Sequence, residues 1–328
     1  MAKSVNTVLG AISADELGIT LMHEHVLAGN MGWYVDETRY PFDKEVATKI
    51  ALKIMEELKS YGVKTYVDAT PKDIGRNVRF LKEVSEKSGM NIVCSTGLYT
   101  DATGASVYFK YLNTLTDGIK EIHELFTKES TEGIENTGIK AGVIKLATGL
   151  GTITPYEKMV FTAAARVQKE TGVPIITHTE AGTMGPEQAD LLISEGADPK
   201  HIVIGHAGGS ADMKYHTSIL DRGVYLAFDR IGLDSPMYHA GPDTLRVACI
   251  LGLISMGYGS RIVFSHDYVM QWAGKNPCPL WPEESIKNWY PTHIFKDIIP
   301  TLRKAGVTDD QINTIMVTNP RRVFGGDQ

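Results

Sequence analysis

Short apolar runs alternate along this chain with longer stretches in which apolar residues recur every third or fourth position. The runs cover residues 18–25, 63–70, 91–99, 140–147, 173–180, 201–207, 224–230 and 261–267. Most are nearly continuous in Val, Ile, Leu and Ala, the pattern of parallel strands covered on both faces. The stretches 44–61, 76–88, 155–171, 186–196, 213–222 and 243–256 carry helical periodicity instead. Gly62, Gly89, Gly172, Gly196, Gly223 and Gly257 lie at or just beyond their ends, where a helix stops most easily on a left-handed residue. Pro155 and Pro186 suit first-turn positions, which need no amide hydrogen.

Eight strands alternating with about eight helices predict a (β/α)8 barrel, with residues 1–328 as one domain. A doubly wound open sheet is the competitor, but it would place a Gly-rich phosphate loop after the first strand. Residues 22–30 carry histidines there instead. Apolar residues make up 43% of the chain, charged ones 22%, and the formal net charge is −6, which argues against a nucleic-acid partner. No run approaches the roughly 18 apolar residues of a membrane span. The first residues lack the apolar core of a signal peptide. Cys94, Cys249 and Cys278 are too few and too scattered for a disulfide framework. The expectation is a cytoplasmic protein.

A barrel builds its active site at the C-terminal ends of its strands. Here those ends carry His23 and His25, then Asp68, Tyr99, Lys145, His178, His206, Asp229 with Arg230, and Asp267. Strand residues two apart point the same way, so His23 and His25 aim two imidazoles at one point. Of ten histidines, four fall on strand ends and His266 lies beside Asp267. This is more than the three or so protein ligands of one open catalytic zinc site, and it fits two ions about 3.5–4 Å apart. Lys145 sits in the apolar run Gly142-Val143-Ile144-Lys145-Leu146-Ala147, where an ordinary ammonium is costly. Adding CO2 to its neutral amine gives a carbamate, a carboxylate on a long arm that can bridge two cations.

The remaining polar residues have plainer readings. Glu24 points away from its neighbours and is expected to support ligands by hydrogen bonds. Asp68 and Asp229 are alternatives for the same role, each weighed against a purely structural one. His201 is expected to be structural, and His123, His216, His239 and His293 to lie at the surface. Cys94 should pack in the core.

The ordered set of HxH, strand-4 lysine, strand-5 and strand-6 histidines and strand-8 aspartate resembles the amidohydrolase superfamily. More narrowly, it resembles the phosphotriesterase family and its phosphotriesterase-like lactonases. The phrases that carry this are Thr20-Leu21-Met22-His23-Glu24-His25, Thr96-Gly97-Leu98-Tyr99, Gly138-Ile139-Lys140-Ala141-Gly142, Ile175-Ile176-Thr177-His178-Thr179, Ile204-Gly205-His206, Ser265-His266-Asp267 and Val317-Thr318-Asn319-Pro320. The resemblance implies that His23, His25 and Asp267 bind a buried metal, and His178 and His206 an exposed one. It implies N6-carboxylysine at Lys145 as the bridge. The cofactors would be two divalent transition-metal ions, zinc first, with cobalt, manganese or iron as alternatives. A bridging hydroxide would attack the substrate, with Asp267 as general base. A homodimer is implied as well.

Tyr99, Asp229-Arg230 and His266-Asp267 are similar to the lactonase branch. The organophosphate-hydrolysing branch carries Trp, Asp-His and Asn-Asp at these places. Tyr99 would donate to the hydroxide or the developing oxyanion, and Arg230 would orient loops or contact a polar lactone. The turn Thr148-Gly149-Leu150-Gly151 departs from this and is nearer the organophosphate branch. Specificity loops are expected over 233–242 and 270–290, where Trp272, Cys278 and Trp281 are candidates for an apolar acyl-chain pocket, set against simple burial under a loop. The predicted function is therefore opening of lactones such as N-acyl-homoserine lactones, with promiscuous phosphotriesterase or arylesterase activity. The alternatives are a phosphotriesterase or carboxylesterase proper and, from another class, a ligand-binding protein without turnover.

Overall fold

A computed structural model describes residues 3–235 and 240–325. Its core is one sheet of nine parallel strands in the order β10-β9-β8-β7-β6-β5-β4-β3-β11. The strands are β3 (Ile19–Ala28), β4 (Val63–Asp68), β5 (Asn91–Gly97), β6 (Val143–Thr148), β7 (Ile175–Thr179), β8 (Ile202–Ile204), β9 (Tyr225–Phe228), β10 (Ile262–Phe264) and β11 (Val269–Trp272). A short hairpin, β1 (Ser4–Thr7) and β2 (Gly10–Ser13), precedes them. It has no counterpart in the apolar pattern.

The expected eighth strand is divided. β10 pairs with β9, and β11 pairs with β3, so two half-strands share the position that closes the barrel. Across the break, the Asp267 amide donates to the His23 carbonyl at 3.1 Å and the His25 amide to the Tyr268 carbonyl at 3.0 Å. The result is a single-domain (β/α)8 barrel with a seam at Asp267.

The inside and outside of the sheet hold separate apolar layers. Met22, Val67, Val93, Val143, Ile176, Val203, Tyr225 and Val263, from the eight barrel positions, pack inside with Val5, Val323 and Phe324. Outside lies the larger layer between sheet and helices, to which Leu21, Tyr66, Ile92, Ile144, Ile175 and Leu226 belong. Covering both faces is what made the strands read as unbroken apolar runs.

The six expected helices form as α1 (Lys44–Ser60), α2 (Val78–Ser88), α5 (Pro155–Thr171), α6 (Gly185–Ser194), α7 (Met213–Leu220) and α8 (Asp243–Ser255). Between β5 and β6 two further helices stand, α3 (Ser106–Leu115) and α4 (Gly118–Thr131). Thr154 caps α5 in a reciprocal pair with Glu157, and Gly172 ends it in the left-handed conformation. α2 starts two residues later than its periodicity suggests, because Asn77 caps it and Arg76 turns inward to grip Glu129 at 2.6 and 2.8 Å. Near the C-terminal end of the chain, Asn319 Nδ2 donates to the carbonyls of Gly259 and Ile262, tying that segment to the start of β10.

Several strands end earlier than their apolar runs. Residues 98–99, 205–207, 229–230 and 265–267 leave the ladder, and Tyr99, Arg230 and Asp267 among them face the cavity at the barrel mouth. Gly97 makes one such exit possible. Its φ is +126°, and a Cβ there would lie 1.9 Å from the Lys145 carbonyl.

Candidate active site

Above the inner apolar layer the strand ends bring His23, His25, Lys145, His178, His206 and Asp267 together, all but Asp267 buried. The register of β3 against β4 shifts between Leu21 and Glu24, at the HxH motif, a common feature next to active sites. His23 and His25 both turn their Nε2 to Asp267 Oδ1, at 3.4 and 3.0 Å. His206 Nε2 lies 3.6 Å from Asp267 Oδ2. The His23 ring stacks on His206 at 4.7 Å, and His178 meets His206 edge-on at 4.6 Å.

The opposite nitrogens are held from behind. Asp229 accepts from His23 Nδ1 at 2.6 Å and His206 Nδ1 at 3.0 Å, and also from the His206 amide at 2.7 Å. His25 Nδ1 faces the Thr70 hydroxyl at 2.7 Å, and Asp68 accepts from the Thr70 and Val26 amides. His178 Nε2 faces Glu180 at 3.0 Å and its Nδ1 faces the Tyr99 hydroxyl at 3.2 Å. This is how metal-ligating imidazoles are oriented, with one nitrogen fixed by an acceptor so that the other presents a lone pair. Either trio, His23–His25–Asp267 or His23–His206–Asp229, places its ligand atoms within 4.8 Å of one another. Because Asp229 already takes two Nδ1 protons, the first trio and the inward Nε2 atoms are the better cradle for a cation.

Two site residues hold strained backbones. His206 and Asp267 both have φ of +56°, rare for residues other than glycine. Asp229 secures His206 through its amide. Glu24 secures Asp267 by accepting from the amides on either side, His266 at 2.8 Å and Tyr268 at 2.9 Å, and from the Ser265 hydroxyl and His266 Nδ1. The expected supporting role of Glu24 is what the geometry shows. The support from Asp229 is more central than its sequence signal suggested.

Charge is tuned throughout. Burial pushes His178 down to about 4 and holds His206 well below its ordinary value, so both imidazoles stay neutral. Burial also brings Lys145 down to about 8, despite the pull of Asp267 and Asp229. Its Nζ lies 2.7 Å from His23 Nε2, and no carboxylate comes within ion-pair distance among the described residues. Burial works against the Asp267 charge, yet the facing imidazoles and Arg230 keep it well below the usual carboxylate range. Arg230 Nε donates to Asp267 Oδ2 at 3.0 Å.

A cavity of about 130 Å³ opens over this cluster. His25, Tyr99, Arg230 and Asp267 form its polar floor, and Leu233, Val269, Trp272, Trp281 and Trp289 its apolar wall. Trp272 and Trp281 thus stand where an acyl-chain pocket was expected. Cys278 does not, since it lines a neighbouring cavity with Ile286 and Met270. Trp289, unassigned from the sequence, joins the wall, and its indole donates to the His266 carbonyl at 2.8 Å.

The other histidines divide. His123 meets Glu170 at the surface, and His201 Nδ1 bonds the Val323 carbonyl. His216 and His293, expected at the surface, are buried. His216 shares a stripe with Met213, Ile219 and Leu220 and donates to the Ala207 carbonyl, a helical spacing that could have revealed it. His293 lies between Asp243 and Asp297. His239 and the middle of the expected specificity loop, 236–239, lie outside the described residues. Cys94 is in the core as expected.

Residues 3–324 match the model of the phosphotriesterase family. Among solved structures, an organophosphorus hydrolase from Deinococcus radiodurans is 46% identical with a TM-score of 0.96, covering 99% of each chain. A substituted PTE-like lactonase from Deinococcus radiodurans is 47% identical with a TM-score of 0.95, covering 98% of this chain and 100% of that one. The phospho-furanose lactonase of Mycoplasmopsis agalactiae is 33% identical, covering 99% of this chain and 92% of its own. Fold, strand-end chemistry and relatives agree that this chain is a hydrolase belonging to the phosphotriesterase family.

Proposed function

We propose that the protein opens lactones, N-acyl-homoserine lactones in the first place, at a centre of two divalent cations. His23, His25, Lys145, His178, His206 and Asp267 would hold them, with Lys145 as its carbamate. The observation that carries the lactone reading is one small cavity in which Tyr99, Arg230 and Asp267 face a wall of Leu233, Trp272, Trp281 and Trp289. A polar ring and an apolar acyl chain match those two surfaces. Relatives described as lactonases support it.

The donor set fits such a centre. Imidazole nitrogens converge on one carboxylate, their far nitrogens already engaged, beside a buried lysine without an acidic partner among the described residues. A neutral amine is the form that adds CO2, and burial favours it at Lys145. Divalent cations supply Lewis acidity and an activated water at neutral pH. The chain's own groups do the rest. Asp267 takes the proton that water loses as it attacks the ring carbonyl carbon. Tyr99 donates to the oxygen on which negative charge develops. Arg230 fixes the angle of Asp267 through Nε. The ring C–O bond then breaks, the proton held on Asp267 passes to the departing ring oxygen, and the product leaves as a hydroxy acid.

Rates on a panel of lactones and on paraoxon-like triesters test the reading. Lactones should be hydrolysed with the higher kcat/KM. Preference for triesters by orders of magnitude would favour a phosphotriesterase proper, which the Thr148-Gly149-Leu150-Gly151 turn and the organophosphorus hydrolase relative support. Absence of turnover on any lactone or ester would favour a binding protein.

A further inference from the structure

Asp243 opens α8, away from the reacting groups, and gathers three donors from three segments. Its Oδ1 accepts from the Gly232 amide at 3.0 Å and from Arg246 Nη1 at 2.6 Å, and its Oδ2 from His293 Nε2 at 2.8 Å. Arg246, buried, donates through Nη2 to the Leu233 carbonyl. Gly232 has φ of +90°, and a Cβ there would lie 2.2 Å from the Asn288 carbonyl oxygen, so this segment rests directly on 288–289.

Leu233 and Trp289 both line the cavity over Asp267, whereas Asp243 does not. Ahead of Gly232, the Ile231 amide is anchored separately on the Ser265 carbonyl at 3.3 Å. Loss of the Asp243 carboxylate therefore releases the apolar wall more than the polar floor.

We propose that Asp243, with Arg246 and His293, is a positioning residue that sets acyl-side selectivity by holding the Leu233 and Trp289 segments together. This rests on the lactone reading only for the choice of substrate. A released wall has less defined apolar surface for a long chain and matters little to a short one.

Steady-state kinetics of Asp243→Ala on a decanoyl and a butanoyl homoserine lactone test it. KM for the long chain should rise roughly tenfold or more, and KM for the short chain and both kcat values should change less than about threefold. Asp243→Asn keeps an oxygen for Gly232 and should restore most of the long-chain preference. If no lactone is opened, that reading fails alone, and the ratio is read on aryl esters of the same two chain lengths. Amide hydrogen exchange gives a readout independent of turnover. Exchange at Gly232 should rise in Asp243→Ala, with faster exchange through 288–290. Should Asp243→Ala not fold, Arg246→Met removes the bonds to Leu233 and Asp243 while leaving the Asp243 carboxylate to Gly232 and His293, and it should weaken long-chain preference in the same direction. An unchanged long-to-short ratio, or equal loss on both substrates with unchanged exchange, would overturn the proposal.

Discussion

Tyr99 and Lys145 show how a single atom's surroundings set its work. The Tyr99 hydroxyl stands 3.2 Å from His178 Nδ1 and lines the cavity, which suits the proposed role of oxyanion donor. Tyr99→Phe should lower kcat for lactones by roughly tenfold to a hundredfold with little change in KM, as loss of a transition-state donor does. A tenfold rise in KM at constant kcat would instead make Tyr99 a binding group. The HxH spacing was enough to foresee two imidazoles meeting at one point, because strand geometry is local. Asp229 was harder to read. Its partners, His23 on β3 and His206 just past β8, lie 206 and 23 residues away, and nothing beside Asp229 in the chain announces them.

Among the elements, α7 and the divided eighth strand are instructive. Burial of His216 on α7 holds its pKa below the ordinary value. An unfolded chain titrates its histidines near about 6.5, so just below that pH the unfolded state binds the extra proton. The stability tied to neutral His216 is therefore present above about pH 6.5 and lost as pH falls through that value. His216→Gln should show a smaller drop in urea midpoint between neutral and acidic pH than the parent protein. An equal drop would mean that the ring accepts its proton when folded. The apolar run 261–267 located strand eight but not its break, because the polar stretch Ser265-His266-Asp267 looks like an ending. The pairing of β11 with β3 shows that the chain resumes, and Glu24, reaching across from β3 to amides on both sides of Asp267, holds the break. Likewise, Val317-Thr318-Asn319-Pro320 was a recognisable phrase whose physical task, tying Asn319 to the start of β10, needed the fold.

For the molecule as a whole, the barrel was legible because parallel strands covered on both faces leave a distinctive alternation. Its surface was less so. Met31, Tyr34, Val35, Val107, Tyr108 and Tyr111 are exposed, and Met31, Tyr34 and Tyr108 line one cleft between the 27–42 segment and α3. An apolar face of this kind supports the proposed homodimer. Light scattering should give twice the chain mass, and Tyr108→Lys with Val107→Glu should shift it toward the monomer. A monomer at every concentration would contradict the pairing. All of the chemistry proposed here depends on the cation centre itself. Elemental analysis of purified protein tests it most directly, with Lys145→Ala as the paired sample. The account predicts about two transition-metal ions per chain, and loss of most of them when Lys145 is replaced. One ion per chain, held equally well without Lys145, would contradict it.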